Sequence, residues 1–200
     1  MKPKIVTWIE TMVYDTFGPE TGTRIMAQFQ QEFQTICAEN PGESRAVRVH
    51  TVGYVYPAIG FYRALQSCGQ SQEEAYGFLY RAYETKAQAE TDQMRRLLKI
   101  PGLYRTMPVM WKLVTRIKFG TAAGFRFHFY PTGWDRVKFD MLQCPYCQAC
   151  EKYGCRELVP VFCHTDDVCN EDVHPKLLWN RTKTMGGGDD CCDFDVIVKH

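Results

Sequence analysis

Apolar residues recur at three- and four-residue intervals through the first 118 positions and on alternate positions in much of the remainder. Ile5, Trp8, Ile9, Met12, Val13 and Phe17 sit near helical spacing, which predicts an amphipathic helix over residues 1–17. Gly18-Pro19 breaks it. A second helix runs from about Glu20 to Glu39, with Ile25, Met26, Phe29, Phe33 and Ile36 on one face, and Asn40-Pro41-Gly42 ends it. Val47 to Tyr56 is β-branched and aromatic and leads into Pro57, so it reads as a short strand or an extended connector. Ile59 to Gln66 forms a short helix stopped by Gly69. Ser71-Gln72-Glu73-Glu74 has the form of a capping box, with a serine hydroxyl for the free amides and a glutamate three residues on that reaches back. It opens a helix over about 72–99 that buries Ala75, Phe78, Leu79, Ala82 and Tyr83. Pro101-Gly102 closes that helix, and another follows over Met107–Lys118.

The period changes at Gly120. Phe125 to Tyr130 alternates, Pro131-Thr132-Gly133 turns, and Trp134 to Leu142 alternates again, which is a hairpin pattern. Leu177–Thr184, Gly186–Asp189 and Cys192–Val198 repeat strand, turn and strand, with helix and loop expected over 147–173 between the hairpins. The fold class is therefore α+β: a helical N-terminal half (1–119) packed on a four-stranded antiparallel sheet, with a helical Cys-rich insertion. One domain over 1–200 suffices.

Composition narrows this picture. Apolar residues at 45% and charged residues at 24% are ordinary for a globular chain. The formal charge of +1 and the interleaving of basic and acidic residues give no reason to expect nucleic acid. No apolar run approaches the roughly 18 residues that suggest a bilayer span, and the N-terminus MKPKIVTWIE does not resemble a signal peptide. The expectation is a soluble cytoplasmic protein whose partner is a small-molecule substrate, neither nucleic acid nor membrane, with a homodimer left open. In a reducing compartment its ten cysteines are thiols, ligands or catalytic groups rather than disulfides.

Eight of those cysteines fall between Cys144 and Phe194, together with His164, His174, the pair Asp166-Asp167 and Arg181. Cys144, Cys147 and Cys150 stand at C-x-x-C-x-x-C spacing ahead of Cys155, which is suggestive of zinc. A second knuckle is missing, so no metal site is assigned. Cys163 lies within one helical turn of Asp166. A thiol attacks as thiolate and needs a cation, an imidazolium or a hydrogen-bond donor beside it; His164, His174 and Arg181 are the available groups. Alternation within LLWNRTKT would put Arg181 and Lys183 on one sheet face and Thr182 and Thr184 on the other, without fixing which face is inward. An inward arginine would require an anion, for which its fork is suited.

Four blocks in order resemble one family. Cys144-Pro145-Tyr146, Leu158-x4-Cys163-x2-Asp166, Arg181-Thr182-x-Thr184-x2-Gly187 and Cys192-Asp193-Phe194 are similar to the signature of the L-2-amino-thiazoline-4-carboxylic acid hydrolases. The resemblance is sharp over about 140–196. The same layout resembles the 4-vinyl-reductase-type domains, where a Glu and a Cys precede the last cysteine. Arg181 and Thr184 stand in this chain instead, which turns the pocket toward an anionic organic ligand rather than zinc. The resemblance implies a hydrolase that opens a cyclic amidine of the thiazoline type, converting 2-amino-thiazoline-4-carboxylate to N-carbamoyl-cysteine. Cys163, or a water activated by Asp166, would attack C2; His174 or His164 would move the proton; Arg181 would hold the carboxylate. Thr182, Thr184 and Asp193, with Cys144 and Cys192, would contact the substrate or brace the sheet. A related enzyme for another ring, a non-catalytic binding domain and a structural zinc protein are the competing readings.

Overall fold

A computed structural model describes residues 3–200. The first helical path, α1 (Lys4–Ala38), bends where the sequence predicts: Gly18 takes φ 73°, outside the helical region, and Pro19 starts the second arm. Met1 and Lys2, the beginning of the predicted first helix, lie outside the described residues.

The expected strand or connector over Val47–Tyr56 is helical instead. Ser44 caps α2 (Arg45–His50), its Oγ accepting the Val47 N–H at 3.2 Å. A π-helical turn over Thr51–Val55 carries the chain into α3 (Tyr56–Ser67). The Tyr56 N–H donates to the Thr51 carbonyl five residues back, and this widened turn leads into Pro57 in the first turn of α3. β-Branched residues cost a helix only a few tenths of a kcal/mol each, at most about 0.7. Complete burial of Val55, Ala58, Ile59 and Phe61 outweighs that preference.

The capping box forms as read: Glu74 N–H donates to Ser71 Oγ at 3.2 Å and Ser71 N–H to Glu74 Oε2 at 2.8 Å, opening α4 (Gln72–Leu98). Then come α5 (Met107–Lys118), β1 (Arg126–Phe129) and β2 (Arg136–Gln143). The insertion forms α6 (Pro145–Lys152) and α7 (Val159–Asn170), and β3 (Leu177–Asn180) and β4 (Cys192–Val198) complete the fold. The sheet order is β1-β2-β4-β3 with every neighbouring pair antiparallel, so the α+β class holds. Phe139 faces Phe194 across β2 and β4 with rings 4.8 Å apart, and Met141 faces Cys192.

The second hairpin is shorter than its alternation predicts, because β3 stops at Asn180. The Asp193 carboxylate takes the Thr182 N–H at 2.8 Å, the Lys183 N–H at 2.6 Å and the Thr182 hydroxyl at 2.7 Å. Side-chain oxygens thus replace ladder carbonyls, and alternation no longer governs where Arg181–Thr184 point.

Apolar side chains collect in two cores. One is helical, built on α1, α3, α4, α6 and α7; the other lies between the sheet and α5 with the end of α4. Cys144, Tyr146 and Met185 pack against both. The Cys-rich segment therefore reaches the seam between the two cores. Among the described residues, no helix is long and apolar enough to cross a membrane.

Candidate active site

A cavity of about 390 Å³ occupies that seam, lined from the α7 side by Phe162, Cys163, Thr165 and Asp166 and from β4 by Cys192 and Phe194. Cys163 and Asp166 project together because residues three apart share a helix face. Cys144 and Tyr146, at the start of α6, add to the wall.

The Cys163 sulfur sits in an environment made for a thiolate. Cys192 is hydrogen-bonded to it and lowers its pKa most; Arg181 and the Gly186 N–H act in the same direction, against burial and the Asp166 charge. The result is a pKa below the ordinary thiol value, while the Cys192 thiol is driven up as the donor of the pair. Cys192 is itself anchored by the Met185 N–H, 3.2 Å from its sulfur. A Cβ at Gly186 would stand 2.7 Å from Cys163 Sγ, so only glycine lets the backbone approach the sulfur there. Arg156 ties this turn to the insertion, donating to the Met185 carbonyl at 2.7 Å and to Glu151 at 2.8 Å.

Asp166 is pushed up to about 6, chiefly by burial; Arg181 pulls it down and the neighbouring Asp167 charge raises it. About half of its side chain is accessible at the cavity that it lines. Arg181, whose side chain is 3% exposed, donates to Asp166 Oδ2 at 3.3 Å, to the Cys163 carbonyl at 2.7 Å and to Asp167. Trp179 Nε1 holds the other oxygen of Asp167 at 2.9 Å. The anions that make an inward arginine tolerable are thus the chain's own carboxylates.

The remaining candidates separate from this cluster. His164 points away from the cavity onto Glu84 at 2.9 Å and stacks on Tyr80. His174 stacks on Tyr104 in the loop beyond α7, its Nδ1 accepting the Lys176 N–H. Thr182 and Asp193 bond each other, and Thr184 caps the glycine turn by accepting the Gly187 N–H at 2.9 Å. The cysteines suspected of holding zinc are hydrogen-bonded in pairs, Cys144 with Cys147 and Cys150 with Cys155. Among the described residues, no three His, Cys, Asp or Glu side chains gather as metal ligands.

Three wall features escaped the sequence reading. Lys86 lies on the buried stripe of α4, its side chain 11% exposed, with Nζ 2.5 Å from Glu90 Oε1 and 5.4 Å from the Tyr54 ring centre. Its position four residues beyond Ala82 and three beyond Tyr83 is a signal the sequence does carry. His50 gives its Nε2 hydrogen to the Lys118 carbonyl at 2.8 Å, so its Nδ1 accepts the Tyr146 hydroxyl at 3.1 Å. Burial lowers its pKa and keeps it neutral. Thr115 is among the residues of the same cavity, its Oγ1 fully buried and without a hydrogen-bond partner among the described residues.

Fold and pocket together define an α+β protein with an interior site where a thiol pair and a carboxyl of raised pKa meet. The chain belongs to the L-2-amino-thiazoline-4-carboxylic acid hydrolase family, whose model matches residues 48–196. That match reaches back to residue 48 in the helical half, well beyond the four C-terminal blocks. The family's name is that of a hydrolase. No curated protein and no solved structure matches the chain.

Proposed function

We propose that this protein is a cysteine-dependent hydrolase that opens a small cyclic amidine of the thiazoline type. The observation that carries the reading is the Cys163 sulfur, held toward thiolate by Cys192, the Gly186 N–H and Arg181 on the same wall as Asp166. The thiolate adds to C2 of the ring, the ring C–S bond breaks, and the ring sulfur leaves as a thiolate, giving an S-linked isothiourea on Cys163. Asp166, ionised above about pH 6, takes a proton from the water that attacks this carbon. Cys163 leaves as thiolate, the proton on Asp166 passes to the released ring sulfur, and the product is a urea with the elements of one water added. Lys86, whose ammonium has one carboxylate partner in Glu90, meets the substrate carboxylate, whereas the guanidinium of Arg181 is shared among Asp166, Asp167 and a carbonyl. Arg181 is then a positioning residue for Asp166 and a cation that favours the thiolate.

The test is incubation of the reduced protein with L-2-amino-thiazoline-4-carboxylate and with ring analogues, read by mass spectrometry. The expected product is heavier by one water and is absent with Cys163→Ala. Full turnover by Cys163→Ala removes the covalent route. Ligand binding with no turnover of any ring would instead make this a binding domain.

A further inference from the structure

Beside the reactive pocket lies a second cavity of about 470 Å³ between α4, α5 and the loop joining them. We propose that this chamber is a subsite for an apolar arm of the substrate, so that the ring opened at Cys163 carries an alkyl or aryl substituent. The proposal rests on the reading of the reactive pocket given above and extends it to substrate class.

The two cavities are continuous in their walls: Glu90, Trp111, Val114, Phe119, Asp166 and Cys169 line both. Beyond that junction the chamber is open-sided and made of Met94, Leu97, Leu98, Leu103, Met107 and Met110, of which Met94, Leu97 and Met110 are partly exposed to solvent. Its polar side chains there are turned to the chain itself. Thr91 Oγ1 donates to helix carbonyls, 2.8 Å from Ala87 O and 3.1 Å from Val168 O. Thr106 donates to Leu103 O at 2.8 Å and Asn170 to Asp166 O at 2.6 Å. A polar ligand would lose its water here for few partners, whereas an apolar one loses nothing. The reactive pocket differs at its α4 wall, where the Lys86 ammonium, paired with Glu90, has further N–H donors that an anionic head could share. Each cavity alone lies in the roughly 300–1,000 Å³ range of small-molecule sites. An unsubstituted aminothiazoline carboxylate would occupy only the first. Flexible methionines in the second suit an arm of variable shape.

The experiment measures calorimetric binding of saturated monocarboxylates from butanoate to decanoate, with the fluorescence of Trp111 at the junction as a second signal. Affinity is expected to rise about fourfold per methylene, the equivalent of about 0.8 kcal/mol, until the chamber is full. Met110→Trp on α5 and, independently, Met94→Trp on α4 should abolish the gain for long members and leave butanoate unchanged. Lys86→Met should weaken every member alike. Affinity that does not depend on chain length, or a chain-length gain that survives both tryptophans, overturns the proposal. Thiazoline turnover without chain-length dependence leaves the hydrolase reading standing and removes this one; the reverse outcome removes the hydrolase and keeps the subsite.

Discussion

Cys163–Cys192 and Cys150–Cys155 are built alike at the level of bonds. In each pair one thiol donates to the other, the acceptor's pKa falls and the donor's rises. Each acceptor also feels an arginine, Arg181 for Cys163 and Arg63 for Cys155. The difference is access. Cys150 and Cys155 are 0% and 3% exposed inside the helical core, whereas Cys163 and Cys192 line the 390 Å³ cavity. A depressed thiol is therefore insufficient for chemistry; the sulfur must also face space a substrate can enter.

The largest expected effect separates the two pairs directly. Cys163→Ala should lower kcat/KM at least about a thousandfold, while Cys155→Ala leaves it within about threefold and costs stability instead. Brief iodoacetamide treatment with peptide mapping should label Cys163 before Cys155. Equal labelling would dissolve the distinction. Next in size is Asp166→Asn, expected to reduce kcat by about 10²–10³. In the parent protein the rate should rise with pH through about 6 as the carboxyl ionises, and the variant should lose that limb. A pH profile unchanged by the substitution would take Asp166 out of the proton transfer.

The smallest effect concerns a group the sequence placed near substrate. Burial raises the pKa of Asp193, but the hydrogen bonds from Thr182 and Lys183 outweigh it and the net shift is downward. Because the folded-state pKa is depressed, its contribution to stability is present above the ordinary carboxylate pKa and is lost as pH falls through the folded value. Asp193→Ala should cost about 1–3 kcal/mol of stability at pH 7 by denaturant titration, less at pH 3, with KM little changed. A large KM effect without loss of stability would return Asp193 to the binding site.

The sequence was most legible where local rules and burial agree. The capping box at Ser71 and Glu74 opens α4 at the predicted residue, and the alternation of 125–142 becomes β1 and β2. The spacing of Cys163 and Asp166 on one helix face already carried the centre of the pocket. His50 was hidden because its β-branched neighbours favour a strand, and only tertiary burial makes that segment helical. The fate of Arg181 was hidden too, since its partners Asp166 and Asp167 lie about fifteen residues upstream on another element. The separation of His164 and His174 from the sulfur follows from the helix and loop angles that aim them at Tyr80 and Tyr104. Nearness in sequence carries no such information.

The close approach of Gly186 to the Cys163 sulfur also has a meaning in time. The groups that turn this thiol toward thiolate, Arg181, Gly186 and Cys192, all emerge after it during synthesis. Until the final hairpin docks on α7, the chain carries ten cysteines of which this one is no more nucleophilic than its neighbours. On the reading proposed above, folding of the last two strands and arming of the nucleophile would be one event.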